Sequence, residues 1–103
     1  MKSILQKEKE CFICRLIANS SDDYMFVPVT GLHDHHVFYG TANRKNSEKH
    51  GLKVWLCINH HTGDNGVHRN RTLDLDLKTR AQKVFEYKHS REEFIEVFGR
   101  NYL

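Results

Sequence analysis

The stretch Leu52–His61, with the sequence LKVWLCINHH, decides the fold of this chain. Its apolar first half predicts a short buried strand over Leu52–Cys57. Cys57 and His60 follow as two potential metal ligands separated by two residues, and one tight turn can offer both to the same ion. The strand is therefore expected to end in half of a metal site.

A second couple with the same spacing, Cys11-x-x-Cys14, lies far upstream and is predicted to form a tight turn. Zinc prefers four nitrogen or sulfur ligands in a tetrahedron, so two such turns can close a structural site with no open position. Cys11, Cys14, Cys57 and His60 are accordingly predicted to hold a structural Zn²⁺.

Two other interpretations of the cysteines are open. The three thiols could be ordinary small buried side chains of the core. A redox Cys-x-x-Cys motif has the same form, but it needs a helix that opens straight after Cys11 in a thioredoxin-like context. The sequence shows no βαβ pattern, and the odd count of 3 Cys prevents complete pairing within the chain.

The composition agrees with a small metal-stabilised domain. With 103 residues the chain is expected to form a single domain, residues 1–103, and only 39% of its residues are hydrophobic. Chains of this size often need a metal or crosslinks for stability. The net charge of +3 gives a mild preference for polyanions but does not identify a nucleic-acid binder.

The first ten residues are charged and weakly helical, and they carry no signal-peptide-like apolar stretch. No run approaches the roughly 20 apolar residues that span a bilayer, so no membrane partner is expected. We predict a cytoplasmic protein, in which reduced and clustered cysteines bind metal more often than they form disulfides.

The remaining elements predict an α+β fold. Aromatic and β-branched residues favour an edge strand over Tyr24–Val29, and alternation favours a strand over Asp34–Tyr39. Ala42–His50 is helix-compatible, with Gly51 where a C-cap belongs. Residues 71–103 are expected to form two supporting helices, the second opened by a capping box at Ser90.

Six of the 8 His fall around the predicted hairpin: His33, His35, His36, His60, His61 and His68. His35 and His36 are adjacent on a strand, so they point to opposite faces unless the strand bulges. One can then hold a metal while the other faces a substrate. Cleavage of a phosphodiester needs a cation and a base, and neutral imidazole suits both tasks near pH 7.

This order of motifs resembles the zinc-containing branch of the HNH (ββα-metal) nuclease family. That family's usual form is Cys-x-x-Cys, Asp-His-Ile, Asn, then Leu-Cys-x-x-Cys-His. The similarity runs over residues 11–68 and excludes the C-terminal helices. A looser resemblance links residues 35–57 to small phage-encoded HNH-like proteins. The resemblance implies a ββα-metal core with one catalytic divalent cation, and a metal-dependent endonuclease or nickase acting on DNA.

Position by position, His36 stands where the family has its general base, and His35 stands at the preceding metal ligand. His61 takes the place of the metal-binding histidine, while His60 replaces the second zinc cysteine. Some members, the bacteriocin nucleases among them, use three histidine ligands, so His68 is the candidate third. The resemblance leaves the catalytic ion open among Mg²⁺, Mn²⁺, Ni²⁺ and Zn²⁺.

Two departures from the family pattern bear on activity. The orienting Asn that normally opens the second strand is replaced by Gly51-Leu52, so Asn46, or else Asn43, is the candidate for that role. The glycines over 63–66 interrupt what is usually the metal-bearing helix. His68 is therefore expected to reach the metal from a loop if it reaches it at all.

Basic residues flank the predicted site. Arg44, Lys45 and Lys49 follow the first strand, and Arg69 and Arg71 follow His68, where phosphate contacts would be needed. The alternative interpretation is that these basic residues form an ordinary solvent-exposed charged surface. DNA is the expected partner. The chain is expected to act alone, as a homodimer, or within a larger phage or recombination complex in the bacterial host.

Two other functions compete with the nuclease. A non-catalytic zinc-stabilised DNA-binding or phage accessory protein of the same fold would keep the four zinc ligands but would not need His36. A structural zinc module that binds protein would hold one metal and have no affinity for DNA. The nuclease is favoured because His35, His36 and His61 have no evident purpose in either rival.

Overall fold

The computed structural model describes all 103 residues. Two short strands pair antiparallel, and five helices surround them. In chain order the elements are α1 (Phe12–Asn19), β1 (His33–His36), α2 (Thr41–His50), β2 (Lys53–Leu56), α3 (Ile58–His61), α4 (Arg71–Phe85) and α5 (Arg91–Phe98). The α+β class predicted from the sequence is confirmed. None of the helices is both long and apolar enough to cross a membrane.

The register of the hairpin separates the histidines of β1. His33 pairs with Leu56 and His35 with Val54, whereas His36 pairs with Lys53. Because cross-strand partners share a face of the sheet, His35 lies on the buried side with Val54. His36 lies on the opposite side with Lys53. The hairpin thus gives two adjacent histidines different surroundings.

The core lies between the sheet and the C-terminal helices. Phe38, just after β1, packs its ring 5.3 Å from that of Phe94 and 4.7 Å from that of Phe98, measured between centroids. Phe85 of α4 joins them at 5.4 Å from Phe94. These rings are all buried. The apolar faces of α4 and α5 therefore support the hairpin, as the spacing of their hydrophobic residues predicted.

Several predicted boundaries are confirmed. Gly51 ends α2 in the left-handed conformation with φ 71°, and a Cβ there would lie 2.5 Å from the Lys2 carbonyl oxygen. Ser90 caps α5 and forms the full capping box with Glu93. Both ends are closed by local hydrogen bonds, and at Gly51 the close approach of the Lys2 carbonyl adds a second reason for glycine.

Three local predictions are wrong. Residues 24–29 form no strand: no second strand lies beside them, and Tyr24 and Phe26 are exposed. The first ten residues form no helix. Cys11–Cys14 is the beginning of α1 and not an isolated turn, because the Cys11 sulfur caps the helix by accepting from the Cys14 amide at 3.5 Å.

Candidate metal centres

Three cysteines and one histidine converge at one end of the hairpin. The Cys14 and Cys57 sulfurs are 3.9 Å apart, and His60 Nδ1 lies 3.7, 3.3 and 3.4 Å from the sulfurs of Cys11, Cys14 and Cys57. Zinc bonds of about 2.3 Å to sulfur and about 2.05 Å to nitrogen give tetrahedral edges of about 3.5–3.8 Å. This cluster can hold a metal ion, and its donors and spacings fit structural zinc.

Two helix beginnings deliver the four ligands. Cys11 is the N-cap of α1 and Cys14 lies in its first turn, while Cys57 is the N-cap of α3 and His60 lies in that helix. The two-residue gap therefore works here through a helical turn, which returns the chain to the same side after three residues. The cluster ties α1 to the end of β2.

The thiols need a cation to ionise together. Burial and the adjacent Cys11 and Cys57 raise the pKa of the Cys14 thiol to about 12. Zinc deprotonates a coordinating thiol outright, because its charge outweighs the repulsion between neighbouring thiolates. The arrangement is therefore unfavourable for free reactive thiolates and suited to a bound metal.

The redox interpretation meets one of its two conditions. A helix does open straight after Cys11. The sheet, however, has only two antiparallel strands, so the thioredoxin-like context is missing. Cys57 and His60 also lie against the Cys-x-x-Cys pair, which a dithiol redox motif does not require.

A second cluster is formed by His35, His61 and His68, whose ligand nitrogens all lie within 4.8 Å of one another. His35 is only 3% exposed, and its Nε2 is buried without a hydrogen-bond partner. A buried polar atom without a partner is costly, and a cation bound there would relieve that cost. These residues therefore fit a metal ion.

The charge state of this cluster also suits a metal. Burial, with added repulsion from His61 and His68, lowers the pKa of His35 to about 3. Burial likewise lowers the pKa of His61. Neutral imidazole is the form that ligates metals, so these side chains are ready to bind at neutral pH.

His68 reaches the cluster from a loop, after the glycine-containing turn that ends the short α3. Its Nε2 lies 3.1 Å from Nε2 of His61. Gly66 makes this turn possible, because a Cβ at that position would lie 2.6 Å from the His61 carbonyl oxygen. The interrupted helix is thus compatible with a third histidine ligand.

His33 also contacts this cluster, although it does not belong to the predicted ligand set. Its Nδ1 lies 2.8 Å from Nδ1 of His61, whose other nitrogen faces His68. A hydrogen bond to the second ring nitrogen fixes the tautomer and orientation of a metal-binding histidine. The alternation of β1, which gives His33 and His35 the same face, was the sequence signal for this role.

Tyr39 extends the cluster towards α4. Its ring lies 6.1 Å from that of His35 and 5.4 Å from that of His68. Its hydroxyl donates to Asp74, which also forms a buried 2.8 Å ion pair with Lys78. The sequence pattern gave no sign of this contact, since it joins residues 35 positions apart through tertiary packing.

His36 lies on the other face of β1 and contacts Glu48, with 2.9 Å between Nε2 and Oε1. The Met1 amino group, His36 and Lys53 hold the pKa of Glu48 well below its usual range. The ionised carboxylate can only accept, so His36 Nε2 carries the hydrogen. This leaves Nδ1 as the basic nitrogen of His36.

Glu48, and not Asn46, is therefore the residue that orients His36. The Asn46 amide donates to the Val97 carbonyl at 3.0 Å, and the Asn43 amide donates to that of Phe98 at 3.3 Å. Both asparagines face the C-terminal helix, because α2 packs against α5. The expectation for Asn46 is corrected on this ground.

An open cleft of about 200 Å³ brings both faces of the hairpin together. It is lined by Asp34, His35, His36, Tyr39, Arg44, His61 and His68. A neighbouring cleft of about 370 Å³ is lined by His36, Arg44, Lys45, Glu48 and Lys49. His36 and Arg44 belong to both, so the predicted base and the histidine cluster open onto one connected surface.

The predicted basic residues fall into two groups. Arg44, Lys45 and Lys49 line these clefts. Arg69 and Arg71 line neither of them, and Arg69 pairs with exposed Asp64 at 3.2 Å. The cationic surface next to His36 therefore belongs to α2.

No protein-family model matches this chain, and neither a search of curated proteins nor a search of solved structures finds a match. The candidate metal clusters and the cleft are thus defined by the residues of this chain alone.

We predict that Cys57→Ser abolishes stoichiometric zinc binding and lowers the free energy of unfolding by several kcal/mol, because structural zinc contributes directly to folding. Zinc content per chain and thermal unfolding by circular dichroism measure this. Thr62→Ala, an exposed change just beyond α3, is the control and should alter neither quantity. Full zinc content and unchanged melting in Cys57→Ser would contradict the assignment.

We also predict that acid destabilises the protein through His35. Its folded pKa of about 3 is below the ordinary value of 6.5, so the unfolded chain binds the proton more readily. Stability is therefore lost as the pH falls below about 6.5, by about 2 kcal/mol from this residue at pH 5. Urea unfolding at pH 7 and pH 5 should show a smaller loss in His35→Gln. If the wild type and His35→Gln lost the same free energy of unfolding between pH 7 and pH 5, His35 would not be the source of the acid sensitivity.

Proposed function

We propose that this chain is a metal-dependent endonuclease or nickase of the HNH (ββα-metal) type that hydrolyses phosphodiester bonds of DNA. The observation that carries the proposal is the cleft that is lined both by His36 and by the three-histidine cluster, in which His35 is buried on the opposite face of the same strand. The antiparallel pair of β1 and β2, which α2 connects and α3 follows at once, supports the ββα assignment.

His35, His61 and His68 would hold the catalytic divalent cation. When bound there, the cation supplies positive charge that stabilises the leaving oxygen of the scissile phosphate. His33 orients His61 through their 2.8 Å contact. Imidazole ligands suit Zn²⁺ and Ni²⁺, and they tolerate Mn²⁺ or Mg²⁺ when water supplies further ligands.

His36 acts as the general base. Glu48 accepts the Nε2 hydrogen, so Nδ1 is free to take a proton from the attacking water. A bond forms from the water oxygen to phosphorus, the bond from phosphorus to the leaving oxygen breaks, and that oxygen acquires a proton from solvent. The ionised Glu48 stabilises the imidazolium that results.

Arg44, Lys45 and Lys49 supply the phosphate contacts. They line the cleft beside His36 and present positive charge along one side of α2. Such contacts position the backbone without reading base sequence. A nicking enzyme with little sequence preference is the activity that this surface supports best, and two copies would be needed to cut both strands.

Plasmid nicking by chelator-treated, zinc-reconstituted protein tests the proposal, with Mg²⁺, Mn²⁺, Ni²⁺ and Zn²⁺ each added in turn. We expect metal-dependent nicking that His36→Ala reduces by at least 10²-fold, the usual contribution of a general base. Glu48→Gln should reduce it less, because the imidazole remains. Arg80→Ala, an exposed change on α4, should have no effect.

Zinc content decides how a negative result is interpreted. If His36→Ala keeps its structural zinc and melts like the wild type, lost nicking reflects the chemistry and not unfolding. If the folded, zinc-loaded wild type nicks DNA with none of the four metals, the nuclease proposal fails. DNA binding without cleavage would then favour the non-catalytic binding module.

A further inference from the structure

The cleft beside His36 continues into a third one at the far end of α2. Lys49 lines both, so the two clefts adjoin at this residue near the end of the helix. From Arg44 to Lys49 the helix rises about 7.5 Å. That distance equals the axial length of about two nucleotides in a DNA strand, at about 3.4 Å each.

This third cleft, of about 360 Å³, is aromatic and basic. It is lined by Met1, Ile4, Lys49, His50, Val84, Phe85, Tyr87, Lys88 and His89. No acidic side chain lines it, although two lining residues pair with carboxylates outside it: the Met1 amino group lies 2.6 Å from Glu48, and His89 Nδ1 lies 3.1 Å from Glu93. Its charge therefore complements a nucleic-acid backbone.

The aromatic wall is preformed. His89 stacks on Phe85 with ring centroids 4.4 Å apart and an interplanar angle of 22°. His50 meets Phe85 edge-on at 5.3 Å, and Tyr87 is 81% exposed beside them. Flat rings next to lysines are the combination that binds single-stranded nucleic acid, because bases stack on the rings while ammonium groups contact phosphates.

We propose that this cleft binds one nucleotide of the substrate strand, about two nucleotides from the scissile phosphate. The base stacks against Tyr87 and His89, and Lys49 and Lys88 contact the adjacent phosphates. The inference rests on the proposed nuclease function, since it extends the same substrate path. The chain would then bind an unpaired or flipped nucleotide about two nucleotides from the cut.

The test is binding of a fluorescein-labelled single-stranded DNA to zinc-loaded protein without other divalent cations, measured by anisotropy. The double variant Tyr87→Ala/Lys88→Ala changes two exposed side chains, so it should fold normally. Tyr24→Ala/Lys83→Ala is the matched control, with the same loss of one ring and one charge. We expect the first variant to bind the DNA about tenfold more weakly than the wild type. The control should bind it with unchanged affinity.

An abasic scan locates the base. Removing a single base at one position should weaken wild-type binding about tenfold, and it should cost the Tyr87→Ala/Lys88→Ala variant nothing further. Equal affinity of variant and wild type, or insensitivity to abasic sites at every position, would overturn the inference. Electrophoresis of the DNA after each measurement verifies that it stayed intact.

The same data separate this inference from the proposed function. If Arg44→Ala/Lys45→Ala weakens binding while the cleft variant does not, the cleft inference fails and the interface beside His36 stands. If the cleft variant weakens binding but no metal supports nicking, the cleft stands and the nuclease fails. No DNA binding by the wild type would overturn both.

Discussion

The rest of the structure depends on the four-ligand cluster of Cys11, Cys14, Cys57 and His60. It joins α1 to the end of β2 in a chain whose sheet has two strands of four residues each, too little to hold a hairpin in place alone. His61 follows His60 directly, so whatever fixes one ligand of the first cluster also fixes one member of the second. The four-ligand cluster and the histidine cluster therefore each take one residue from the same short helix, α3.

The hairpin then divides two tasks between adjacent residues. Strand alternation buries His35 among other histidines and places His36 against Glu48 on the other side. Burial keeps the first imidazole neutral, while an ionised carboxylate fixes the tautomer of the second. In the proposed nuclease, one strand would thus offer a metal ligand and a base to one cleft. This division is the physical basis for the nuclease proposal.

Much of this arrangement could be predicted from short-range patterns. The two-residue gaps of the cysteines, the alternation at His35 and His36, and the caps at Gly51 and Ser90 each depend on a few neighbouring residues. The partner of Asn46 could not be predicted, because α2 packs against α5 through contacts about 50 residues apart in sequence. The partner of His36 depends on how α2 packs against β1, which the sequence pattern does not show. Residues 24–29 were predicted as a strand from their side chains alone, and no neighbouring strand exists to pair with them.

The most direct test of the account is zinc K-edge X-ray absorption on protein loaded with one equivalent of zinc per chain. The account predicts three sulfur ligands at about 2.3 Å and one nitrogen at about 2.05 Å, because the Cys/His cluster binds first and most tightly. A first shell of nitrogen and oxygen alone would contradict it. Such a result would mean that the histidine cluster binds zinc in preference to the thiols, and that the proposed structural centre does not order this fold.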